Sequence, residues 1–470
     1  MAAQYDLVIV GMGSAGMVAA EFAATLGIRV AAVERSRVGG DCLWTGCVPS
    51  KALLASAKAA HTMRHADRYG LTPHEPEIDT ARVWQRIRAV QQQLADTDDN
   101  PRRFVDAGIE LHMGPARLVS PTTVQVGDDK RLQTRFVLLC TGSRPAEPVI
   151  PGLAEAGFQT SETFFEMARA PESLAVLGGG PISIELSQAC ARLGVATTVL
   201  QKGPGILPRD EPTLVSVLME RLRADGVDLR TGISVERVEV AAKTKVLHGT
   251  EEGRPQSWRA EEILVGIGRR PNVEGLGLEE LGIEVGPRGV VVDGRRRTAV
   301  KSVYAVGDLA GRHLFTHSAG YEAARAIRNM FFPGGRGSDF LVPWATFTDP
   351  ELAHAGLTES QARDAHGEDA QVWRQDLIHS DRARADSASE GAILVVTVKG
   401  RIVGAHALAP NAGELIHELA LAIHQKLKLT EVASLVHVYP TLSIGIQQLA
   451  SEASYTNAKR YRWLVRSTAK

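Results

Sequence analysis

Two cysteines five positions apart are the residues of this sequence best suited to chemistry. Cys42 and Cys47 lie in the segment GGDCLWTGCVPSK, soon after a short apolar run that ends at Glu34. The chain has 470 residues and only four cysteines, so it lacks the disulfide density of a small secreted protein. A pair that brackets the tight Leu-Trp-Thr-Gly insert is typical of a reversible dithiol/disulfide.

The surroundings of the pair favour one reactive thiol. Two glycines precede Cys42, and we expect a helix to start there, where unpaired N–H groups and the helix dipole lower a thiol pKa. Pro49 predicts a distorted helix in which the two sulfurs can meet. A buried structural dithiol is one alternative, and a four-thiolate metal site that recruits Cys140 and Cys190 is another. We interpret those two as buried small hydrophobes and predict no metal.

The elements that must position the pair begin with a strand, a glycine-rich turn and a helix. An apolar strand over 5–10 runs into GMGSAG, a helical stretch and a second strand over 29–34. Such glycines permit the tight turn, the approach of backbone N–H groups to a pyrophosphate, and close helix–strand packing. An acid that ends the second strand suits a ribose hydroxyl pair. The candidate dinucleotide contacts are Gly11, Gly13, Ser14, Gly16 and Glu34.

The same pattern recurs once, from residue 173 onward. Gln201 stands as far after the first glycine of this copy as Glu34 does in the first. A carboxylate would repel a 2′-phosphate, whereas neutral Gln201, cationic Lys202 and nearby Arg209 would accept one, so NADPH is predicted over NADH. The alternative is that Lys202 is only a solvated loop lysine. The candidate contacts here are Gly178, Gly180, Ser183, Gln201 and Lys202.

Length and composition exclude several classes of protein. A chain of 470 residues is too long for one core. A net charge of −1 gives no field that attracts nucleic acid or anionic membrane. The sequence contains no apolar run of about eighteen residues and no basic N-terminal region. We therefore expect a cytoplasmic multidomain protein whose partners are small molecules or copies of itself, with no nucleic acid and no membrane insertion.

Two dinucleotide motifs around a dithiol resemble the class I pyridine nucleotide-disulfide oxidoreductases, over nearly the whole chain. The further motifs that carry the resemblance are LCTGSRP at 139–145, GIGRRPN at 266–272, SVYAVGD at 302–308 and FTDPE at 347–351. The resemblance implies FAD in the first dinucleotide fold, NAD(P)H in the second, and a homodimer. It adds Gly40, Thr141, Gly142 and Asp308 as FAD contacts and Gly268 as an NAD(P)H contact.

The resemblance also implies the fold and the division of the chain. It predicts an α/β protein with two Rossmann-like dinucleotide-binding domains and a C-terminal α+β dimerisation domain. The FAD-binding domain takes residues 1–149 and 271–340, because residues 150–270, the NAD(P)H-binding domain, interrupt it. Residues 341–470 form the dimerisation domain.

By the same resemblance, each residue of the site has a role. Cys47 is the charge-transfer thiol against the flavin, and Cys42 is the interchange thiol that meets the substrate. Lys51 matches the family's lysine near the flavin, where a cation stabilises negative charge. Glu185 matches the carboxylate paired with that lysine.

One departure narrows the substrate. Disulfide reductases of this family carry a histidine before Pro-Thr as the acid/base for the partner's thiols, whereas this chain has Tyr439, and Ile444 stands where a glutamate is expected. A tyrosine with a pKa near 10 is a poor proton shuttle. His437 could substitute if the backbone turns it inward, since residues i and i+2 of an extended segment share a face. The Tyr439–Pro440 bond is a candidate cis peptide that would aim Tyr439 at the partner's Cys42.

The departure makes the sequence similar to mercuric reductases, although residues 460–470 lack their C-terminal cysteine pair. We therefore predict a mercuric-reductase-like enzyme that passes electrons from NADPH, or NADH, through FAD and the Cys42–Cys47 disulfide to a small-molecule acceptor. The acceptor is a metal ion, a thiol-reactive compound or a disulfide. Two alternatives stay open: a thiol-independent NAD(P)H oxidase, quinone reductase or transhydrogenase, and a redox-sensing flavoprotein with little turnover.

Overall fold

The computed structural model describes residues 4–334, 337 and 340–459. The chain up to Pro145 forms β1 (Tyr5–Val10), α1 (Ser14–Thr25), β2 (Val30–Glu34), α2 (Gly40–Trp44), α3 (Cys47–Arg64), α4 (Thr80–Asp96), α5 (Pro101–Asp106), β3 (Glu110–Met113), β4 (Ala116–Ser120), β5 (Thr123–Val126), β6 (Lys130–Leu139) and β7 (Ser143–Pro145). The next segment forms α6 (Leu153–Ala156), α7 (Ser161–Phe164), β8 (Ser173–Leu177), α8 (Pro181–Arg192), β9 (Ala196–Gln201), α9 (Pro212–Ala224), β10 (Asp228–Thr231), β11 (Ser234–Ala241), β12 (Thr244–Glu251), β13 (Arg254–Ala260), β14 (Glu262–Val265) and β15 (Arg269–Pro271).

The remaining elements complete the first domain and build the last. They are β16 (Val285–Gly286), β17 (Gly289–Val290), β18 (Val303–Ala305), α10 (Thr316–Phe331), β19 (Trp344–Thr346), β20 (Glu351–Gly356), α11 (Glu359–His366), β21 (Ala370–Asp376), α12 (Asp381–Ala385), β22 (Ala392–Val398), β23 (Arg401–Ala409), α13 (Ala412–His424), α14 (Leu429–Val432) and α15 (Ile444–Ala458). Short 3₁₀ turns lie at Ala66–Tyr69, Glu279–Leu281, Gly307–Ala310, Gly367–Asp369 and Leu377–His379.

The first sheet is parallel at its centre, in the order β3-β2-β1-β6 with β18 beyond β6. The strand β1 is apolar on both faces because both faces are covered. Helices α1 and α10 pack on one face. Because β18 comes from a segment beyond the second dinucleotide fold, the first sheet is assembled from two separate stretches of the chain.

The second sheet repeats the plan with parallel strands in the order β10-β9-β8-β14. An antiparallel sheet of β11, β12 and β13 lies in the same segment. Where the chain leaves the first domain and returns to it, β7 and β15 pair antiparallel. This pairing brings Ser143 opposite Pro271 and Pro145 opposite Arg269.

The third unit is an antiparallel sheet in the order β19-β20-β23-β22-β21, and its core includes residues of α13 and α15. The predicted α/β class, with two Rossmann-like folds and a C-terminal α+β domain, is confirmed. The proposed boundaries at 149/150, 270/271 and 340/341 stay predictions. Among the described residues, no helix is long and apolar enough to cross a membrane, and residues 460–470, noted above for their lack of a cysteine pair, lie outside the described part.

The dithiol segment is two helices instead of one distorted helix. Helix α2 ends at Trp44 and α3 begins at Cys47, with Gly46 between them. A Cβ on Gly46 would come within 2.9 Å of the Asp41 carbonyl oxygen, so this close turn favours glycine. Pro49 lies in the first turn of α3, where its missing N–H costs no intrahelical bond.

Candidate dithiol and dinucleotide site

Cys47 lies where the first residues of two helices meet. It is the first residue of α3, and its Sγ is 3.3 Å from the Oγ1 of Thr316, the first residue of α10. A hydrogen bond from the Cys42 thiol, the Thr316 hydroxyl and the positive charge of Lys51 lower the pKa of Cys47 to about 6, against the opposing effect of burial. The positive ends of the helix dipoles act in the same direction. These effects together favour the thiolate form of Cys47.

Cys42 has the opposite character. The hydrogen bond that it donates to Cys47, its burial and the negative charge of Cys47 raise the pKa of the Cys42 thiol. This direction is opposite to the sequence-based expectation of a lowered pKa at Cys42, and the hydrogen bond with Cys47 is its first cause. Cys42 lies inside the five-residue helix α2, whereas Cys47 begins an eighteen-residue helix. Both thiols are free and partly exposed.

Lys51 is fixed one turn beyond Cys47 by a carboxylate and a ring. Its Nζ lies 2.8 Å from Glu185 Oε2 and 4.1 Å from the centre of the Phe347 ring. The other oxygen of Glu185 accepts a hydrogen bond from the Phe347 backbone N–H at 2.9 Å. The predicted Lys51–Glu185 pair is present. The position of Lys51 is fixed by contacts with residues of α8 and of the segment that follows β19.

The first glycine-rich turn leaves backbone bare beside the dithiol. Gly11 has φ +98°, and a Cβ there would lie 2.5 Å from the Cys140 carbonyl oxygen. Gly40, with φ +57°, approaches Gly13 so closely that a Cβ on Gly40 would lie 2.7 Å from the Gly13 Cα. Ser14 and Gly16 open α1 after this turn. The turn at a helix N-terminus fits the pyrophosphate of a dinucleotide.

Glu34 holds this turn in shape. Its two carboxylate oxygens accept hydrogen bonds from the backbone N–H groups of Met12 and Ser36, each at 2.8 Å. A carboxylate has about four acceptor positions, so each oxygen still has a lone pair for a ribose hydroxyl. The candidate assignment of Glu34 therefore fits the structure.

Asp308, in the motif at 302–308, is held by two polar side chains. Its carboxylate accepts a hydrogen bond from Ser143 Oγ at 2.6 Å and lies 3.5 Å from Arg269 Nε. Arg269 also pairs with Asp41, the neighbour of Cys42. Burial raises the pKa of Asp308, whereas Ser143 and Arg269 lower it. This chain of contacts ties the dithiol helix to the second FAD motif.

Thr141 and Gly142 hold the crossing between domains. The Thr141 hydroxyl donates to the Asn272 carbonyl oxygen at 2.8 Å, and the Asn272 side chain donates to the Thr141 carbonyl oxygen at 2.9 Å. The Gly142 carbonyl oxygen accepts from the Asn272 backbone N–H at 3.0 Å. Both residues thus lie beside β7, at the end of the first sheet that carries the glycine-rich turn.

The second glycine-rich turn reproduces the first. Gly178 has φ +107°, and a Cβ there would lie 2.5 Å from the Gly266 carbonyl oxygen. Gly180 precedes α8, and the buried Ser183 donates from Oγ to that same carbonyl oxygen at 3.3 Å. Gly268, with φ +134°, lies two residues farther along the chain. This turn fits a second dinucleotide.

Gln201 and Lys202 differ in what they contact. Gln201 Nε2 donates to the Gly205 carbonyl oxygen at 3.2 Å, so the side chain folds over its own loop. Lys202 is exposed at the carboxyl end of β9. Arg209, expected beside Lys202, instead has its guanidinium 4.6 Å from the centre of the Trp344 ring.

Tyr439 and His437 face different partners. The Tyr439 hydroxyl donates to Asp381 Oδ2 at 2.9 Å, and this hydrogen bond raises the pKa of the exposed phenol. The His437 imidazole lies 2.9 Å from Glu418 Oε1, and its side chain is only 4% exposed. The predicted cis Tyr439–Pro440 bond is confirmed. The two side chains thus contact different acidic residues within this subunit.

Cys140 and Cys190 lie in separate hydrophobic cores. Burial raises the pKa of both thiols, that of Cys190 to about 12. This environment agrees with their interpretation as small buried hydrophobes. Within the described residues, no cluster of three or more histidine, cysteine or acidic side chains could hold a metal ion.

Comparisons with known proteins agree along most of the chain. Residues 5–326 match the model of the pyridine nucleotide-disulphide oxidoreductases, and residues 342–450 match the dimerisation domain of the same proteins. The chain belongs to this family. The pyridine nucleotide-disulphide oxidoreductases use FAD and NAD(P)H with a redox-active disulfide, and the dimerisation domain supports a homodimer.

Relatives within the family carry different names. The chain is 34% identical to a dihydrolipoyl dehydrogenase of Thermus scotoductus over 97% of this chain and 98% of that protein. It is 32% identical to a mercuric reductase of Bacillus cereus over 94% of this chain and 70% of that protein. A solved structure of the HOCl-induced flavoprotein disulfide reductase RclA from Escherichia coli superposes with a TM-score of 0.85 at 26% identity, over 95% of this chain and 99% of that chain. Its Cu(II) complex superposes with a TM-score of 0.84 at the same identity, over 96% of this chain and 99% of that chain.

These findings establish that the chain is an oxidoreductase of this family, and they do not identify its electron acceptor. They favour neither the thiol-independent oxidase nor the redox sensor. Sequence reasoning missed three side chains that complete the site: Thr316, Phe347 and Ser143. Thr316 lies 269 positions from Cys47, and no spacing or motif in the sequence connects them. Phe347 and Ser143 lie inside motifs that the resemblance identified, and only the folded chain shows what they contact.

Proposed function

We propose that the protein is an NADPH-dependent metal-ion reductase of the pyridine nucleotide-disulphide oxidoreductase family. NADPH and a proton reduce the Cys42–Cys47 disulfide to two thiols and give NADP⁺. The dithiol then gives one electron to each of two Cu(II) ions, which become Cu(I), and two protons leave as the disulfide forms again. A single Hg(II) ion that becomes Hg(0) would balance the same two electrons.

The hydrogen bond from Tyr439 to Asp381 is the observation that carries the choice of acceptor. Reduction of a disulfide substrate releases a thiolate that must be protonated, which the family's histidine does. Asp381 raises the pKa of Tyr439 above that of an ordinary phenol, so this hydroxyl is a weaker acid still. A metal ion takes electrons without a leaving thiolate, so its reduction needs no such acid.

A metal acceptor also fits the two thiols. Soft ions such as Cu(I) and Hg(II) prefer thiolate ligands, and the lowered pKa of Cys47 favours its thiolate form. Cys42, partly exposed, meets the ion first and loses its proton on coordination. The related flavoprotein disulfide reductase from Escherichia coli has been solved as a Cu(II) complex, which supports the same class of acceptor here.

The residues around the dithiol set the order of events. A bound FAD would supply the two-electron chemistry that connects NADPH with the disulfide. The two glycine-rich turns would hold the two dinucleotides, and Asp308 would bind the ribityl chain of the flavin. Lys51, held by Glu185 and Phe347, would supply a positive charge that stabilises negative charge on the flavin. Thr316 donates to Cys47 and stabilises its thiolate.

The preference for NADPH rests on the end of β9. Gln201 is neutral and turned toward Gly205, so no carboxylate repels a 2′-phosphate. Lys202 is exposed and has no hydrogen bond or ion pair among the described residues, so it is available to a phosphate. We expect NADPH to exceed NADH in kcat/KM by roughly ten- to hundredfold.

In the homodimer, Tyr439 is proposed to face the partner's Cys42. The segment around it is apolar and exposed, with Val436 87% and Val438 74% accessible. Such a surface suits contact with a second subunit. The tyrosine then lies at the entrance for the acceptor, where a hydroxyl can hydrogen-bond a hydrated metal ion.

An acceptor panel tests the proposal. The purified holoenzyme is given NADPH without oxygen together with Cu(II), Hg(II), glutathione disulfide or lipoamide, and NADPH oxidation is followed by the absorbance of the reduced nicotinamide. We expect turnover with a metal ion and little with either disulfide. Brisk turnover of glutathione disulfide or lipoamide, with slow metal reduction, would contradict the proposal.

A further inference from the structure

Trp344 contacts residues from three separate segments of the chain: Asp210, Phe315 and His354. Its indole Nε1–H donates to Asp210 Oδ1 at 2.8 Å, and Asp210 is only 5% exposed. Its ring stacks on Phe315 with 5.8 Å between centroids and 13° between planes. It also stacks on the buried His354 at 3.6 Å and 13°. Planar contacts and a buried hydrogen bond leave the indole one orientation.

Asp210 belongs to the loop that follows the candidate phosphate contacts. The Asp210 backbone N–H donates to the Leu207 carbonyl oxygen at 3.0 Å, and the Leu207 N–H donates to the Gly179 carbonyl oxygen at 2.9 Å. The loop between β9 and α9 is therefore bonded to the second glycine-rich turn. Its next residue, Glu211, accepts from the Glu359 backbone N–H at 3.1 Å, a second tie to the C-terminal domain.

Trp344 is also connected to Thr316 and Phe347, the residues that contact Cys47 and Lys51. Phe315 immediately precedes Thr316, the side chain in contact with Cys47. Three residues after Trp344, Phe347 holds Glu185 through its N–H and covers Lys51 with its ring. A displacement of the indole would therefore affect Cys47 in two ways. It would move Thr316 through Phe315, and it would move Lys51 through Phe347.

We propose that Trp344 is a positioning residue that couples occupancy of the adenosine-phosphate end of the nucleotide site to the Cys47 thiol. A nucleotide phosphate at Lys202 fixes the loop, Asp210 holds the indole, and the indole holds Phe315 and Thr316 against Cys47. The inference rests on the family's FAD and nucleotide chemistry and is independent of the acceptor. The thiol also faces Cys42, Lys51 and Glu185, and none of these lies in the nucleotide loop.

Coupling between two sites is reciprocal, so it can be measured from either end. We expect a bound nucleotide fragment to lower the apparent pKa of Cys47 by about 0.5 unit, which corresponds to about threefold tighter binding of the fragment to the thiolate form. The probe is 2′,5′-ADP, which carries the phosphates without the nicotinamide and so cannot touch Lys51 or the flavin directly.

The test uses the holoenzyme with Cys42→Ser, in which Cys47 is the only thiol of the pair. The long-wavelength thiolate-to-flavin absorbance is titrated against pH with and without 2′,5′-ADP, and the Kd of the fragment is measured at both ends of the titration. Trp344→Phe keeps a stacking ring but loses the N–H, and we expect it to lose the shift. Asp210→Asn keeps an oxygen acceptor and should retain the shift, whereas Asp210→Ala should lose it.

Two results would overturn the coupling. One is that 2′,5′-ADP causes no shift in the pKa of Cys47 in the Cys42→Ser enzyme. The other is that Trp344→Phe, added to that enzyme, leaves the shift unchanged. If Trp344→Phe does not fold, Asp210→Ala removes the same hydrogen bond from the side of the nucleotide-binding segment, and the same titration is repeated with that variant. A parallel titration with 5′-ADP separates this inference from the proposed NADPH preference, because tighter binding of 5′-ADP would refute the preference while its own shift still tests the coupling. The acceptor panel bears on neither result.

Discussion

Removal of the Thr316 hydroxyl should raise the pKa of Cys47 by about one unit. Thr316→Val keeps the shape of the side chain and loses the donor that lies 3.3 Å from Cys47 Sγ. A hydrogen bond to a charged group contributes about 1.5–3 kcal/mol, and one pKa unit corresponds to about 1.4 kcal/mol. The long contact to sulfur places this bond at the low end of that range, which gives about one unit.

The sign and the pH range follow from the lowered pKa of Cys47. The thiolate, and with it the thiolate-to-flavin absorbance of the reduced enzyme, grows as pH rises through about 6. In Thr316→Val the same rise should be centred near pH ~7. Because the folded-state pKa lies below that of an unfolded thiol, the stability that the thiolate contributes to the reduced protein is lost as pH falls through that folded value.

The assay is a pH titration of the absorbance in the reduced holoenzyme, with Thr316→Ser as the matched control. Serine retains the hydroxyl and should titrate close to the parent. A Thr316→Val midpoint that coincides with the parent's would refute the assignment of Thr316 as a donor to the thiolate. A serine variant that shifts as far as valine would show that the methyl group, instead of the hydroxyl, matters.

Three further changes test other parts of the site. Lys202→Ala should lower kcat/KM for NADPH about tenfold and leave that for NADH nearly unchanged, since only the former carries a 2′-phosphate; equal losses would contradict the role of Lys202. Tyr439→His should raise glutathione disulfide reduction at least tenfold and metal reduction much less, because it supplies an acid near neutral pH; Tyr439→Phe is its control, and no gain with histidine would count against the acid/base argument. Glu185→Gln should slow reduction of the flavin by NADPH about tenfold, because Lys51 loses its charged partner; stopped-flow absorbance measures this, and an unchanged rate would remove the pair from the site.

Local patterns predicted the framework of the protein well. The strands at 5–10, 173–177 and 196–201 begin and end where the apolar runs and the glycines predicted them. Gly11 and Gly178 have the positive φ that their turns require. These features depend on residues close in the sequence, and so the sequence contains their full explanation.

The electrostatics of the site could not be predicted in the same way. The sequence places a glycine pair before Cys42, which favours a thiolate there, but the break at Gly46 gives Cys47 the start of the long helix instead. Thr316 and Asp381 come from distant segments, and their contacts with Cys47 and Tyr439 exist only in the folded chain. Protonation depends on such contacts, so local sequence alone did not give the direction of the pKa shift at Cys42.

The central claim, a redox-active Cys42–Cys47 pair in electronic contact with FAD, is tested most directly by counting electrons. The holoenzyme is titrated with dithionite without oxygen, and the absorbance of the flavin is followed to completion. A flavin and a disulfide each take two electrons, so the account predicts that the parent takes four electrons per FAD and shows the thiolate-to-flavin band after the first two. Cys47→Ser should take two and show no such band; a parent enzyme that also stops at two, with its FAD content intact, would contradict the account.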